Sequence, residues 1–157
     1  DKESKSPVTA KTLFQAASIS KPVTAYGALT LVEQKKVALD EDINSFLKSW
    51  KLPDSEFTKD KKVTLKNLIN HSAGITVHGF LGYSPDLPVP TLVQLLNGAS
   101  PANSGPSIVD KVPEESFRYS GGGYNIVQQM MIDVVGNTFP EVMIELVLQP
   151  LAMNNST

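Results

Sequence analysis

The chain has 157 residues, of which 41% are hydrophobic and 19% are charged, and its formal net charge is −2. This composition is typical of a globular protein, and the charge excludes a strongly basic surface for nucleic acid or anionic lipid. The chain has no cysteine for disulfides or thiolate metal sites, and no apolar run approaches the ~20 residues of a membrane helix.

The first predicted element is a helix over residues 18–36, which follows a polar start without a signal-peptide pattern. Pro22 is tolerated there because the first turn of a helix leaves its backbone N–H groups unpaired. Ser18 is therefore placed at the helix mouth, with Lys21 one turn further on the same face. Two interpretations are open at this point: a capping serine beside a solvated lysine, or a nucleophile beside its proton partner.

Further helices are predicted from capping residues followed by apolar residues at helical spacing, roughly six in all. Residues 75–90 and 99–117 hold prolines and turn-forming residues, and they are predicted to be loops. Convincing strands are nearly absent, so the chain is predicted to be mainly α. The shorter helices are expected after Asp40 or Asp42, after Thr64 and within "TLVQLLNG", and the longer ones over 124–135 and from Thr138 to Pro150.

Ser18 and Lys21 are the leading candidates for chemistry. Serine alone is a weak nucleophile and needs a base to take its proton. A lysine accepts a proton only when it is neutral, a form favoured by burial, nearby positive charge and the positive end of a helix dipole. The backbone N–H of Ser18 is a candidate donor to a tetrahedral oxyanion.

Three segments resemble one enzyme superfamily, in the same order along the chain. "TLFQAASISKPVTA" resembles the nucleophile segment of the serine β-lactamase and penicillin-binding protein superfamily, especially its branch of class C β-lactamases, D-alanyl-D-alanine carboxypeptidases and esterases. "VTLKNLINHSAGI" is similar to the segment of that family that ends in His-Thr-Ser-Gly. "FRYSGGGYNIVQQMM", followed by "VLQPLAM", is similar to its tyrosine motif and to a later helix end.

The resemblance implies a serine acyl hydrolase that forms an acyl-enzyme on a β-lactam, a D-alanyl peptide or a carboxylic ester. Ser18 would be the acylated nucleophile, Lys21 its proton partner, and Tyr119 the phenol that relays a proton to the leaving group. Tyrosine has an ordinary pKa of ~10, so it would serve as a base at neutral pH only beside a cation such as Lys21. The implied partner is a small-molecule or peptide acyl substrate. No cofactor is implied, and the implied location is periplasmic or secreted.

One motif departs from the family pattern. The family has Tyr-x-Asn where this chain has Tyr119, Ser120 and Gly121. The asparagine ordinarily bonds the lysine and the substrate amide, so its absence favours an esterase-like or other acyl hydrolase. Ser120 or Asn125 is a candidate substitute, and both are assigned with Gly121 to substrate binding. The run of three glycines is interpreted as a tight turn that brings the tyrosine to the nucleophile.

The two histidines receive weaker assignments. His71 is interpreted as structural, with a bond to backbone near the core, and a catalytic base is the alternative. His78 is expected to be solvated in its loop, where Tyr83 is predicted to lie near a substrate entrance. Without an acidic partner at ligand spacing, the histidines do not predict a metal site. Core-filling roles are predicted for Met130, Met131 and Met143.

The resemblance also predicts the fold: the helical lobe of the β-lactamase/DD-peptidase-like α/β fold, with most or all of the antiparallel sheet missing. Residues 1–157 would be a partial domain, without the N-terminal hairpin and the C-terminal strands that carry the third motif, Lys-Thr-Gly or His-x-Gly. We therefore expect little or no turnover, and self-association through exposed sheet-facing residues such as Ala16, Ile19 and Val23. The alternative is a non-catalytic binding or scaffolding member of the same fold.

Overall fold

The computed structural model describes residues 2–157, and it is mainly helical. Within this range there is no sheet, only isolated antiparallel bridges from Asp42 to Thr64 and from Ile75 to Val109. The predicted helical lobe without a sheet is confirmed. The α-helices of these residues are α1 (Ser20–Glu33), α2 (Leu65–Ile69), α3 (Leu92–Asn97), α4 (Gly121–Val135) and α5 (Phe139–Met143); a π-helical turn, Ile144–Leu148, continues α5, and 3-10 turns lie at Ala17–Ile19, Ile43–Ser45 and Glu56–Thr58.

Capping residues set most of the helix boundaries. Thr64, Thr91 and Thr138 begin α2, α3 and α5 through capping boxes, in which the third helical residue bonds back to the cap. Gly98 and Gly136 end α3 and α4 with φ of 60° and 85°, a left-handed conformation that glycine adopts without strain. The helix starts predicted at these threonines are confirmed.

The nucleophile segment differs from the single helix predicted over 18–36. The 3-10 turn Ala17–Ile19 carries Ser18, and α1 begins only at Ser20. Ala16 and Ile19 are exposed as predicted, and Ile19 has 71% of its surface accessible. Val23 instead packs against the core, so its predicted exposure is wrong. The segment just before α1 therefore exposes the Ser18 hydroxyl together with the apolar side chains of Ala16 and Ile19.

Helix α4 lies at the centre of the domain and contacts α1, α2, α3 and α5. Its side chains Ile126, Met130 and Met131 are fully buried, and Met143 of α5 is 8% exposed. The predicted core-filling role of the methionines is thus confirmed. Fully burying such a side chain stabilises the fold by about 1.5–3 kcal/mol relative to its exposure. No helix among residues 2–157 is both long and apolar enough to cross a membrane.

The three-glycine run forms the first turn of α4, so the predicted tight turn is wrong. The loop before residue 80 packs directly on this turn. The backbone N–H groups of Gly121 and Gly122 donate to the carbonyls of His78 and Val77, respectively. A Cβ at Gly122 would lie 2.6 Å from the Ser107 Oγ and 3.0 Å from the backbone carbonyl oxygen of Thr76. Glycine is therefore required here because a loop backbone approaches the helix closely.

Candidate active site

Three side chains predicted to be catalytic lie together and form what we call the Ser18 cluster: Ser18, Lys21 and Tyr119. The Ser18 Oγ lies 2.7 Å from the phenol oxygen of Tyr119, and the Lys21 Nζ donates to the same Oγ at 3.3 Å. Helix geometry brings Lys21 to the serine, whereas Tyr119 arrives from the segment before α4, 101 residues later in the chain. One hydroxyl is thus bonded to both a phenol and an amine, while its residue remains open to solvent.

The cluster is electrostatically suited to proton transfer. The hydrogen bond with the Lys21 ammonium, followed by that with the Ser18 hydroxyl, lowers the pKa of Tyr119 below its ordinary value. Lys21 Nζ also lies 4.9 Å from the ring centroid of Tyr119 and 5.7 Å from that of Tyr124, within the ~6 Å range of cation–π attraction. A phenol that ionises more easily is better matched to accept a proton near neutral pH.

His71 bonds the backbone as predicted, and it also contacts the cluster, which the sequence did not indicate. Its Nδ1 accepts the backbone N–H of Ser120 at 3.1 Å. Its ring centroid lies 4.5 Å from that of Tyr119 and 5.4 Å from that of Tyr124. Burial, and to a smaller extent the nearby positive charge, lowers the pKa of His71. The ring is therefore held mainly neutral at pH 7.

His78 is exposed, as predicted, but it is also part of the site. Its ring centroid lies 4.9 Å from that of Tyr119, on a loop that packs on the start of α4. No periodicity or motif in the sequence signals this contact, since it depends on where the loop lands. Among residues 2–157 no group of three or more His, Cys, Asp or Glu side chains could hold a metal ion.

Ser120, a predicted substrate-binding residue, is buried and caps α4. Its hydroxyl donates to the Thr76 carbonyl at 2.7 Å and accepts the Gly123 N–H at 2.9 Å. A capping serine is a common start of a helix. The hydroxyl is therefore engaged in holding the loop against the helix, a role that motif comparison missed.

A cavity of about 520 Å³ opens beside the Ser18 cluster. Gly121 and Asn125, both predicted to bind substrate, lie on its wall, whereas Tyr83 is not among its lining residues. The Tyr83 hydroxyl instead accepts the backbone N–H of Asn103. The size is typical of a small-molecule site. Aromatic side chains of the wall are Phe80, Tyr119, Tyr124 and Phe139.

Phe80 lies close to where the Cβ of an asparagine at position 121 would be. A Cβ at Gly121 would lie 3.1 Å from the Phe80 Cε2 and 3.2 Å from the carbonyl oxygen of His78. An asparagine at this position would therefore require the Phe80 ring or the loop backbone to move by a few tenths of an ångström. Sequence reasoning missed Phe80, because nothing in the loop composition shows which residue reaches the cavity.

Comparison with protein families and curated sequences gives related proteins. The family model described as "Beta-lactamase" matches residues 1–157. "Esterase EstB" of Burkholderia gladioli is 32% identical over 75 residues, which cover 48% of this chain and 19% of that protein. "Penicillin-binding protein 4*" of Bacillus subtilis is 24% identical over 159 residues, which cover 97% of this chain and 32% of that protein. The chain therefore spans a third or less of the length of these relatives.

Comparison with solved structures supports the fold. The crystal structure of D-amino acid amidase from Ochrobactrum anthropi, complexed with D-phenylalanine, matches with a TM-score of 0.76 and 24% identity. The match covers 97% of this chain and 39% of that chain. The described helices thus correspond to a part of a larger known fold.

Proposed function

Because the chain belongs to the beta-lactamase family, we propose that it carries the nucleophile of a serine acyl hydrolase that works through an acyl-enzyme. The observation that supports this most directly is the pair of hydrogen bonds at the Ser18 Oγ, one shared with the phenol oxygen of Tyr119 and one donated by the Lys21 amine. A serine flanked by a proton acceptor and a cation is an activated nucleophile. The structure is thus suited to attack on a carbonyl.

In the proposed reaction the Ser18 oxygen attacks the carbonyl carbon of the substrate, and its proton moves to the Tyr119 oxygen. Lys21 stabilises the phenolate that accepts this proton. The backbone N–H of Ser18 is the candidate donor to the oxyanion. When the carbonyl carbon releases its leaving group, that group takes the proton from Tyr119 and the acyl group remains on the serine. Water then adds to the acyl-serine and releases a carboxylic acid and the free hydroxyl.

Carboxylic esters are the favoured substrate class, ahead of β-lactams and D-alanyl peptides. The motif asparagine that would bond an amide is Gly121 here, and a Cβ at this position would lie only 3.1 Å from the Phe80 ring. Asn125 is the remaining amide side chain of the predicted binding set that faces the cavity. The named esterase among the relatives is consistent with this choice. The family's usual location, periplasmic or secreted, remains part of the proposal.

We expect one acylation event and slow turnover from this chain. No sheet is formed by residues 2–157, so no strand there supplies a second oxyanion donor. In a serine protease, removal of one oxyanion-hole donor lowers kcat about 10²–10³-fold. The side chains of Phe14, Ile19 and Phe117 are exposed, which supports the further proposal that the chain self-associates through apolar surface. Size-exclusion chromatography over a concentration series would test this.

The test is a stoichiometric acylation followed by intact-mass measurement. The full chain is incubated with p-nitrophenyl acetate, or with a fluorescent penicillin, beside the Ser18→Ala variant. One adduct that maps to Ser18, and that the variant lacks, is the expected result with the ester. Equal labelling of both proteins, or labelling of neither, would refute the proposal and favour the alternative of a non-catalytic binding or scaffolding protein. The absence of the motif asparagine is the observation that supports this alternative.

A further inference from the structure

The phenol of Tyr119 must be aimed at a serine that lies far away in the sequence. Tyr119 is in no helix, since α4 begins only at Gly121. Its phenol oxygen nevertheless lies 2.7 Å from the Ser18 Oγ, a distance that tolerates little error. A misplacement of about 1 Å can cost a reaction on the order of 100-fold. Something in the structure therefore has to hold this tyrosine.

His71 contacts Tyr119 and both of its neighbours in the chain. Its carbonyl accepts the backbone N–H of Arg118 at 2.8 Å, and its Nδ1 accepts the backbone N–H of Ser120 at 3.1 Å. The two bonds fix the backbone on either side of Tyr119. Its ring also stacks on the Tyr119 ring, with centroids 4.5 Å apart and planes inclined by 33°. One residue thus restrains the backbone, the ring plane and the direction of the phenol.

The backbone of His71 is itself unusual. Its φ is 63°, in the left-handed region, which residues other than glycine adopt uncommonly, although histidine does so more often than most. It directly follows the C-cap residue of α2, Asn70, at the position where helices commonly end on glycine. A histidine there keeps its strained conformation because the surrounding contacts hold it, and such strain clusters at functional sites.

We propose that His71 is the positioning residue of the Ser18 cluster, which aims the Tyr119 phenol at Ser18 by holding the backbone on both sides of that tyrosine and stacking on its ring. The inference rests on the proposed acyl-transfer function. Since Nδ1 accepts a hydrogen bond, the neutral ring carries its proton on Nε2. His71 is therefore assigned no proton transfer of its own in the reaction.

Two variants separate the ring from the hydrogen bond. His71→Asn keeps a short acceptor for the Ser120 N–H and tolerates the left-handed backbone, but it removes the ring. His71→Phe keeps a stacking ring and removes the acceptor. Each is therefore the control for the other, and thermal melts verify that both fold. His71→Ala removes both contributions.

The kinetic readout is the rate of Ser18 acylation by p-nitrophenyl acetate over a series of ester concentrations. We expect His71→Ala to lose about 100-fold in the limiting rate, with an unchanged half-saturating concentration, because position and not binding is lost. The limiting rate of His71→Asn should be about tenfold higher than that of His71→Ala, because asparagine restores the hydrogen bond from the Ser120 N–H. Rates near wild type in all three variants, beside a silent Ser18→Ala, would overturn the inference.

A second readout does not depend on activity. Tyrosinate absorbance near 295 nm is titrated in wild type and in each variant, and the same curve in a Tyr119→Phe background is subtracted to isolate Tyr119. The ionisable groups that face this ring are Lys21 from α1, His78 from the loop and Tyr124 from α4, while Arg118 pairs with Asp110. If His71 positions the phenol beside Lys21 and Ser18, the pKa of Tyr119 should rise toward its ordinary value in His71→Ala.

The two readouts distinguish the inference from the function on which it rests. A wild-type chain that is never acylated refutes the proposed function, and the Tyr119 titration still tests the positioning. An unchanged titration midpoint in folded His71→Ala overturns the positioning role even where acylation proceeds.

Discussion

Replacement of Tyr119 by phenylalanine is the sharpest single perturbation of the proposed chemistry. The change removes one oxygen and leaves the ring that stacks on His71 and His78 at 4.5 and 4.9 Å. The remaining basic group of the Ser18 cluster is the Lys21 Nζ, 3.3 Å from the serine oxygen instead of 2.7 Å, and it accepts the Ser18 proton only in its neutral form. That distance lies just outside the reach of about 2.6–3.2 Å expected of a general base.

The magnitude follows from the chemistry that is lost. A positioned acid–base group contributes about 10²–10⁴-fold in rate, which corresponds to about 2.7–5.4 kcal/mol in the activation barrier. The fold loses one exposed hydrogen bond, a change of at most about 1.5 kcal/mol in the free energy of unfolding. We therefore expect the Tyr119→Phe variant to be folded and to acylate at least about 100-fold more slowly.

The assay is the appearance of the Ser18 adduct by intact mass, together with one equivalent of released nitrophenolate. Tyr83→Phe is the matched control, because it makes the same chemical change at a hydroxyl that bonds the Asn103 backbone outside the cavity. If Tyr119→Phe acylates as fast as this control while Ser18→Ala is silent, Tyr119 is not the proton acceptor and the role passes to Lys21.

The remaining predictions concern the cavity wall and the core. Gly121→Asn restores the family motif in sequence, but its Cβ would lie 3.1 Å from the Phe80 ring. We expect the free energy of unfolding, measured by urea denaturation, to fall by about 1–3 kcal/mol, with no gain in the rate of penicillin acylation. Faster penicillin acylation would contradict this. Asp133→Asn should lower the free energy of unfolding by about 1.5–3 kcal/mol, because the carboxylate accepts hydrogen bonds from the hydroxyl and the backbone N–H of Ser49. A urea midpoint equal to that of wild type would show that these bonds are dispensable. Although burial raises the pKa of Asp133, its hydrogen bonds hold that pKa below the ordinary value overall. The stabilisation of the fold by the Asp133 carboxylate should therefore be complete above the unfolded-state pKa of about 3.9 and fade as pH falls below it. Denaturation midpoints of wild type and Asp133→Asn that converge in acid would verify this.

Local features of this protein were readable from its sequence. The capping threonines, the glycine helix ends and the spacing of Ser18 and Lys21 follow from interactions within one or two turns, so residue type and spacing suffice to predict them. The family resemblance added Tyr119 to the site and predicted a helical lobe. The predictions that were wrong concern segments with long-range contacts: the glycine run, which was interpreted locally, and Val23, whose exposure was expected from the family resemblance.

Only the tertiary structure decided how the site is assembled. The stacking of His78 on Tyr119, the bond from the Ser120 hydroxyl to Thr76, and the place of Phe80 beside Gly121 depend on where the 75–90 loop lands on α4. The stacking of His71 on Tyr119 depends on where the end of α2 meets the segment before α4. No periodicity encodes such contacts, because they join segments that lie tens of residues apart and are selected by packing of the whole domain. The sequence therefore identified the candidate reacting groups, and the fold determined which neighbours surround them.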